Sequence, residues 1–259
     1  MGYVSSLNYA IPIVLTLIGG WKITKHPGVK RWELLLITSV VFLPFSLVIH
    51  LVLTNLSWIV PLKYDQYIFV IDKAFGSPSF HIGRFFLQHP WVGTASEAAY
   101  DLMPSALWIL GAAYLWTQPV EDAVRFIWTN LLNCCLAVPV YVVLPVCGPR
   151  YAFSTFPSII PAHVVPHPIV VMAPPNGVPS VHMSTALLIL YFARRWRTGT
   201  VFGLVYLMLT IVSTLGWGEH YVFDLLVGIP FALLVGWLGT KQTVAREQQS
   251  SLVTSPQQV

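Results

Sequence analysis

Residues 199–239 read GTVFGLVYLMLTIVSTLGWGEHYVFDLLVGIPFALLVGWLG. Two apolar runs of helical length flank a short polar passage holding Glu219, His220 and Asp224. A hydrocarbon layer takes roughly 20 apolar residues per helical crossing, so each run is long enough to cross a bilayer and the passage between them sits at one membrane face. Strands of this length and uniform polarity would leave unpaired backbone groups in lipid; helices do not. The stretch therefore predicts a helical membrane protein with polar chemistry at a helix boundary.

The rest of the chain agrees. Of 259 residues, 56% are hydrophobic and only 9% charged, and the mean hydropathy is +0.69. That is too little polar surface for a water-soluble globule of this size. The net charge of +4 is small and scattered among apolar runs, which excludes a nucleic-acid groove. Cys134, Cys135 and Cys147 lack metal-type spacing and read as small packing residues. The first apolar run, 9–21, follows no basic residue and precedes no small-residue cleavage pattern, so it reads as a retained span.

Hydrophobic runs predict helices at 6–21, 33–60, 98–116, 124–147, 182–196, 199–216 and 221–239. The expected fold class is all-α: a polytopic transmembrane bundle of six to seven spans. Residues 1–240 form one domain, and 241–259 a polar, disordered cytoplasmic tail. Lys and Arg near span ends are held on the cytoplasmic side. With the N-terminus outside, Lys22, Lys25, Lys30, Arg31, Arg125, Arg194, Arg195, Arg197, Lys241 and Arg246 lie inside, against Lys63, Lys73, Arg84 and Arg150 outside. The outer segment 61–97 then reads as interfacial helices, with Asp65 and Asp72 at the interface. The proline-rich segment 148–181 reads as an ordered, irregular cover.

The same topology collects three polar segments on the outer face: Gly148-Pro149-Arg150-Tyr151, Pro179-Ser180-Val181-His182, and Gly218 to Asp224. His220 and Asp224 are one helical turn apart, where a carboxylate accepts a proton from one imidazole nitrogen and leaves the other lone pair free to attack phosphorus. Ser180 and His182 stand where a helix begins, and the unpaired N–H groups of a first turn favour an anionic phosphate. Arg150 offers a planar fork of donors for phosphate oxygens. His182 has the right type to protonate a leaving alkoxide. Glu219, next to His220, points off that face and reads as solvated or facing headgroups.

These motifs resemble the type-2 phosphatidic-acid phosphatase superfamily, and most closely its inositol-phosphorylceramide-synthase-like branch. The likeness rests on Gly148 to Tyr151, Pro179 to His182, and Ser213 and Thr214 leading to His220, Tyr221 and Asp224, and it spans roughly residues 60–240. It implies a six-helix phosphatase-like core and a lipid phosphatase or phosphotransferase needing neither metal nor other cofactor. By position, it implies His220 as nucleophile, Asp224 as its orienting partner, His182 as general acid, and Arg150 and Ser180 as phosphate ligands. Its partners would be a lipid phosphate in the bilayer and the membrane itself, with the site on the extracytoplasmic or lumenal face. Better-known members carry an arginine where this chain has Thr214, a glycine where it has Val181, and a lysine where 141–147 is apolar. Two alternatives use the same His/Asp cluster: a metal-dependent membrane hydrolase and a transporter relaying protons.

Overall fold

A computed structural model describes residues 48–254 of the chain, with side chains through Thr240 apart from Val120. It is all-α apart from one two-stranded ribbon. In order the elements are α1 (Val48–Ile59), β1 (Leu62–Lys63), α2 (Asp65–Ala74), α3 (Pro78–Gln88), α4 (Pro90–Asp101), α5 (Met103–Thr117), α6 (Val120–Val143), α7 (Pro149–Ala152), β2 (Ile169–Val170), α8 (Val181–Ala193), α9 (Arg197–Gly216) and α10 (Val222–Thr254). The expected helix 6–21 and the first part of 33–60 lie outside the described residues.

Among the described residues, three helical stretches are long and apolar enough to cross a membrane: Glu121–Val143, Arg197–Gly216 and Val222–Thr240. The quoted pair is thus two of them, α9 and the first part of α10. Both turn large apolar side chains outward, Met208 at 60% exposure and Leu233 at 71%, a surface that hydrocarbon solvates and water does not. Helix α6 begins with Glu121 and Asp122, carboxylates that suit the positive end of a helix. Asp122 also takes an ion pair from Arg195, 2.6 Å away in the α8–α9 turn. Helix α8, 13 residues long, packs on α9 and α10, and α9 packs on α3 and α4.

The interior has two apolar clusters. One joins α5, α6, α8 and α9 around Tyr114, Phe126 and Phe192, with the Tyr114 hydroxyl donating to the Phe192 carbonyl at 2.8 Å. The other sets Phe69, Phe80 and Phe153 beneath Tyr221. Between apolar helices the glue is polar: Asn133 donates to the Thr185 hydroxyl and accepts from Ser184, and Ser96 donates to Ser213. Such bonds hold helices that gain nothing from hiding hydrocarbon from hydrocarbon.

Five sequence expectations change. The single helix expected over 98–116 breaks at Leu102 into α4 and α5, because Pro104 in the first turn of α5 lacks the N–H that a continuous helix needs. The helix expected over 124–147 stops at Val143, and the one over 182–196 at Ala193. Asp65 and Asp72, expected at the interface, are fully buried, since each caps backbone N–H groups from a distant segment, as described below. The segment 61–97 is otherwise a run of short helices, as read, and 153–180 is irregular except for β2, which pairs antiparallel with β1. Helix α10 runs past residue 240, where the polar tail was placed, to Thr254, through Lys, Gln, Arg and Glu residues that favour helix.

Candidate active site

Two glycines bring the first motif onto the third. Gly148 has φ +96°, and a Cβ there would sit 2.3 Å from the Glu219 carbonyl oxygen. Gly218 has φ +67° and is pressed against Phe156 and the Arg150 backbone. Both conformations suit glycine alone, and together they let the Arg150 N–H donate to the Gly218 carbonyl at 3.0 Å.

The turn from α9 to α10 is held by Thr214, whose carbonyl accepts from the N–H groups of both Glu219 and His220. Its hydroxyl turns back to the Thr210 and Ile211 carbonyls of its own helix. His220 is 1% exposed and Asp224 fully buried, with Nδ1 and Oδ2 3.4 Å apart. The same carboxylate oxygen accepts the Tyr221 N–H at 2.9 Å. A carboxylate facing Nδ1 places the proton there, so Nε2 carries the lone pair. Nε2 is buried and has no protein partner among the described residues, and the same holds for Asp224 Oδ1. The His220 carbonyl, in turn, accepts from Ser79 at 3.1 Å.

Helix α8 starts against this turn. Ser180 is fully buried; its N–H donates to the Asp224 carbonyl, and its hydroxyl caps α8 by accepting the Met183 N–H at 3.2 Å. That leaves the hydroxyl proton to donate elsewhere. Two residues on, the His182 ring meets the His220 ring edge-on, with centroids 5.8 Å apart. Its other neighbour is Tyr100, stacked at 4.1 Å and 22°.

Arg150 arrives on the third side, but not as a free cation. It donates to Glu219 at 2.6 Å, with the two side chains 28% and 12% exposed. Glu219 is thus a half-buried counter-ion rather than a solvated residue, because the Gly148 contact draws Arg150 across to it. Burial alone would lower the Arg150 pKa; the opposing pull of Glu219, with Tyr151 and Tyr100 adding, holds it above its ordinary value. A pocket of about 450 Å³ opens beside Arg150 between Phe86, Pro90, Phe156 and Trp217.

Behind the site lies a carboxylate layer that motif reading missed. Asp65 accepts the N–H groups of Cys147 and Gly148 and the Tyr221 hydroxyl. Asp72 accepts the Val222 N–H at 2.7 Å, capping α10 from α2. Burial pushes both carboxyls up to about 6, against the pull of those N–H donors. In sequence they stand among Lys63, Lys73, Arg84 and histidines in a mixed aromatic and polar segment, with no spacing that marks them as buried. Among the described residues, no three His, Cys, Asp or Glu side chains cluster closely enough to hold a metal ion.

The structure therefore brings His182, His220, Asp224, Ser180 and Arg150 to one end of the bundle, with Glu219 and Tyr100 added. A sequence profile described as the PAP2 superfamily matches residues 66–238. The chain belongs to that superfamily. The match runs from α2, one residue past Asp65, into α10, so it covers every motif above and Asp72, and it brings with it a phosphatase-type function in the general sense. No curated protein and no solved structure matches the chain.

Proposed function

We propose that this PAP2 protein is an integral-membrane lipid phosphatase or phosphotransferase that works without a metal, through a phosphohistidine on His220. The observation that carries the reading is the His220–Asp224 pair, with its proton directed to Nδ1 and its Nε2 lone pair buried and unpartnered beside His182. In the first step Nε2 bonds to phosphorus as the ester P–O bond breaks, and the departing oxygen takes a proton from His182. In the second, water or an alcohol gives its proton to His182 while its oxygen bonds to phosphorus and the P–N bond breaks. Arg150 and the Ser180 hydroxyl would hold the phosphoryl oxygens, and Asp224 offsets positive charge on the His220 ring.

Three features support a lipid substrate handled on the non-cytoplasmic face. The site residues stand at the ends of apolar helices, and the pocket beside Arg150 is walled largely by apolar side chains. The basic turn Arg194, Arg195 and Arg197 lies at the far end of α8 from His182, about 20 Å away along the helix. Basic residues stay on the cytoplasmic side, so the site belongs opposite.

The test is incubation of purified full-length protein with a panel of lipid phosphates and labelled phospholipids, with and without a chelator. Phosphate release or headgroup transfer that survives chelation, and a labelled, acid-labile phosphoenzyme absent from His220→Ala, is the expected result. Turnover by folded His220→Ala at the wild-type rate, or activity that needs an added metal, overturns it.

A further inference from the structure

The acid role given to His182 needs its imidazole held in one plane, yet among the described residues no hydrogen bond to that ring is seen; its contacts are with aromatic rings. His182 is the second residue of α8 and largely buried, so what orients its ring comes from the segments packed against it. What covers it is Tyr100, parallel within 22° at 4.1 Å. The His220 ring meets it edge-on, with centroids 5.8 Å apart.

Tyr100 reaches this place through the break in the chain. It is the penultimate residue of α4, and the helix ends just after it, before Pro104 begins α5 anew. A continuous helix through 98–116 would set the direction of the Tyr100 side chain by that helix's own axis.

We propose that Tyr100 is a positioning residue for proton delivery: its ring face orients His182 so that an imidazole N–H meets the leaving oxygen of a phosphate attached at His220. This rests on the reading of His182 as general acid. A stacked aromatic pair of this kind constrains orientation without needing the hydroxyl.

The experiment compares kcat/KM, which reports the steps through departure of the leaving group and not the later hydrolysis that His182 also serves, for two leaving groups in the full-length protein. The alkoxide released from phosphatidic acid needs a proton as it departs; the nitrophenolate released from p-nitrophenyl phosphate does not. Tyr100→Leu should lower kcat/KM on phosphatidic acid by about 100-fold, the scale of a lost general acid, while kcat/KM on p-nitrophenyl phosphate falls less than about threefold. Tyr100→Phe should keep both rates. Equal losses on both substrates in Tyr100→Leu, or failure of Tyr100→Phe to retain the alkyl rate, overturns the proposal in favour of a merely structural tyrosine. His182→Ala separates the two levels. If it shows the leaving-group difference and Tyr100→Leu does not, Tyr100 alone is misassigned; if His182→Ala shows none, the acid role fails and the proposal with it.

Discussion

At the residue scale, the Arg150–Glu219 pair decides how the site meets an anion. An arginine beside a reactive histidine is expected to be open to phosphate, but here its guanidinium already touches a carboxylate at 2.6 Å. A phosphate held by Arg150, as proposed, would share it with Glu219 and sit near that negative charge. Replacing Glu219 by Gln keeps a hydrogen-bond acceptor and removes the charge, so inhibition by vanadate should tighten by roughly fivefold, about 1 kcal/mol for a partly screened pair. Arg150→Ala should weaken it by about tenfold or more, the loss of a charge-assisted contact. An unchanged vanadate inhibition constant in Glu219→Gln counts against Arg150 as the anion's ligand. The partners are 69 positions apart, so nothing local in the sequence pairs them. His220 and Asp224 are different: spacing of four on a helix is a local rule, and the pair is legible as written.

At the element scale, the N–H groups where α10 begins are served by two carboxylates, one from a distant helix and one from its own first turn. Asp72 on α2 takes the Val222 N–H, and Asp224 takes that of Tyr221. A carboxylate at a helix N-terminus is favourable when ionised, but Asp72 is fully buried and its second oxygen has no partner. Burial wins, aided by the nearby Asp224, and the carboxyl rises from 3.8 to about 6. The folded protein therefore holds this proton more tightly than the unfolded chain. Its contribution to stability is complete below the unfolded value and is lost as pH climbs through about 6. At about 1.4 kcal/mol per pH unit, the change is of order 3 kcal/mol across that window. Asp72→Asn should flatten the unfolding temperature in detergent between pH 4 and 7 relative to wild type. Parallel pH curves for the two proteins would falsify the assignment. No pattern of hydropathy distinguishes such a carboxylate from one at the interface, and for that reason both Asp65 and Asp72 were misplaced by sequence. The same limit applies to the break at Leu102: Pro104 is visible, but a proline near a helix start and a proline that ends the preceding helix look alike in one dimension.

At the scale of the whole molecule, the ends of the bundle differ in charge and in chemistry. One end carries Arg194, Arg195 and Arg197, with Arg195 paired to Asp122; the other gathers the histidines under the 148–180 segment. His163 and His167 in that segment are exposed. With Cys134 and Cys135 replaced by alanine, a cysteine introduced at His163 should react with a membrane-impermeant maleimide in sealed cells, and one introduced at Thr198 should react only after permeabilisation. The reverse pattern inverts the topology and moves the site to the cytoplasmic face.

Hydropathy and spacing alone settle that the chain is helical, that it suits lipid, and which histidines and aspartate share a helix boundary. These follow from length, polarity and helical period, properties each segment carries without its neighbours. Tertiary structure decided what surrounds them: Glu219 on Arg150, Tyr100 on His182, and Asp65 and Asp72 beneath the turn at Tyr221 and Val222. Each of those contacts joins segments far apart in the chain through a glycine contact, a helix break or a buried hydrogen bond. Such contacts depend on how helices pack, and packing in a membrane is set by close fit and polar bonds between helices rather than by the hydrophobicity that makes the helices legible.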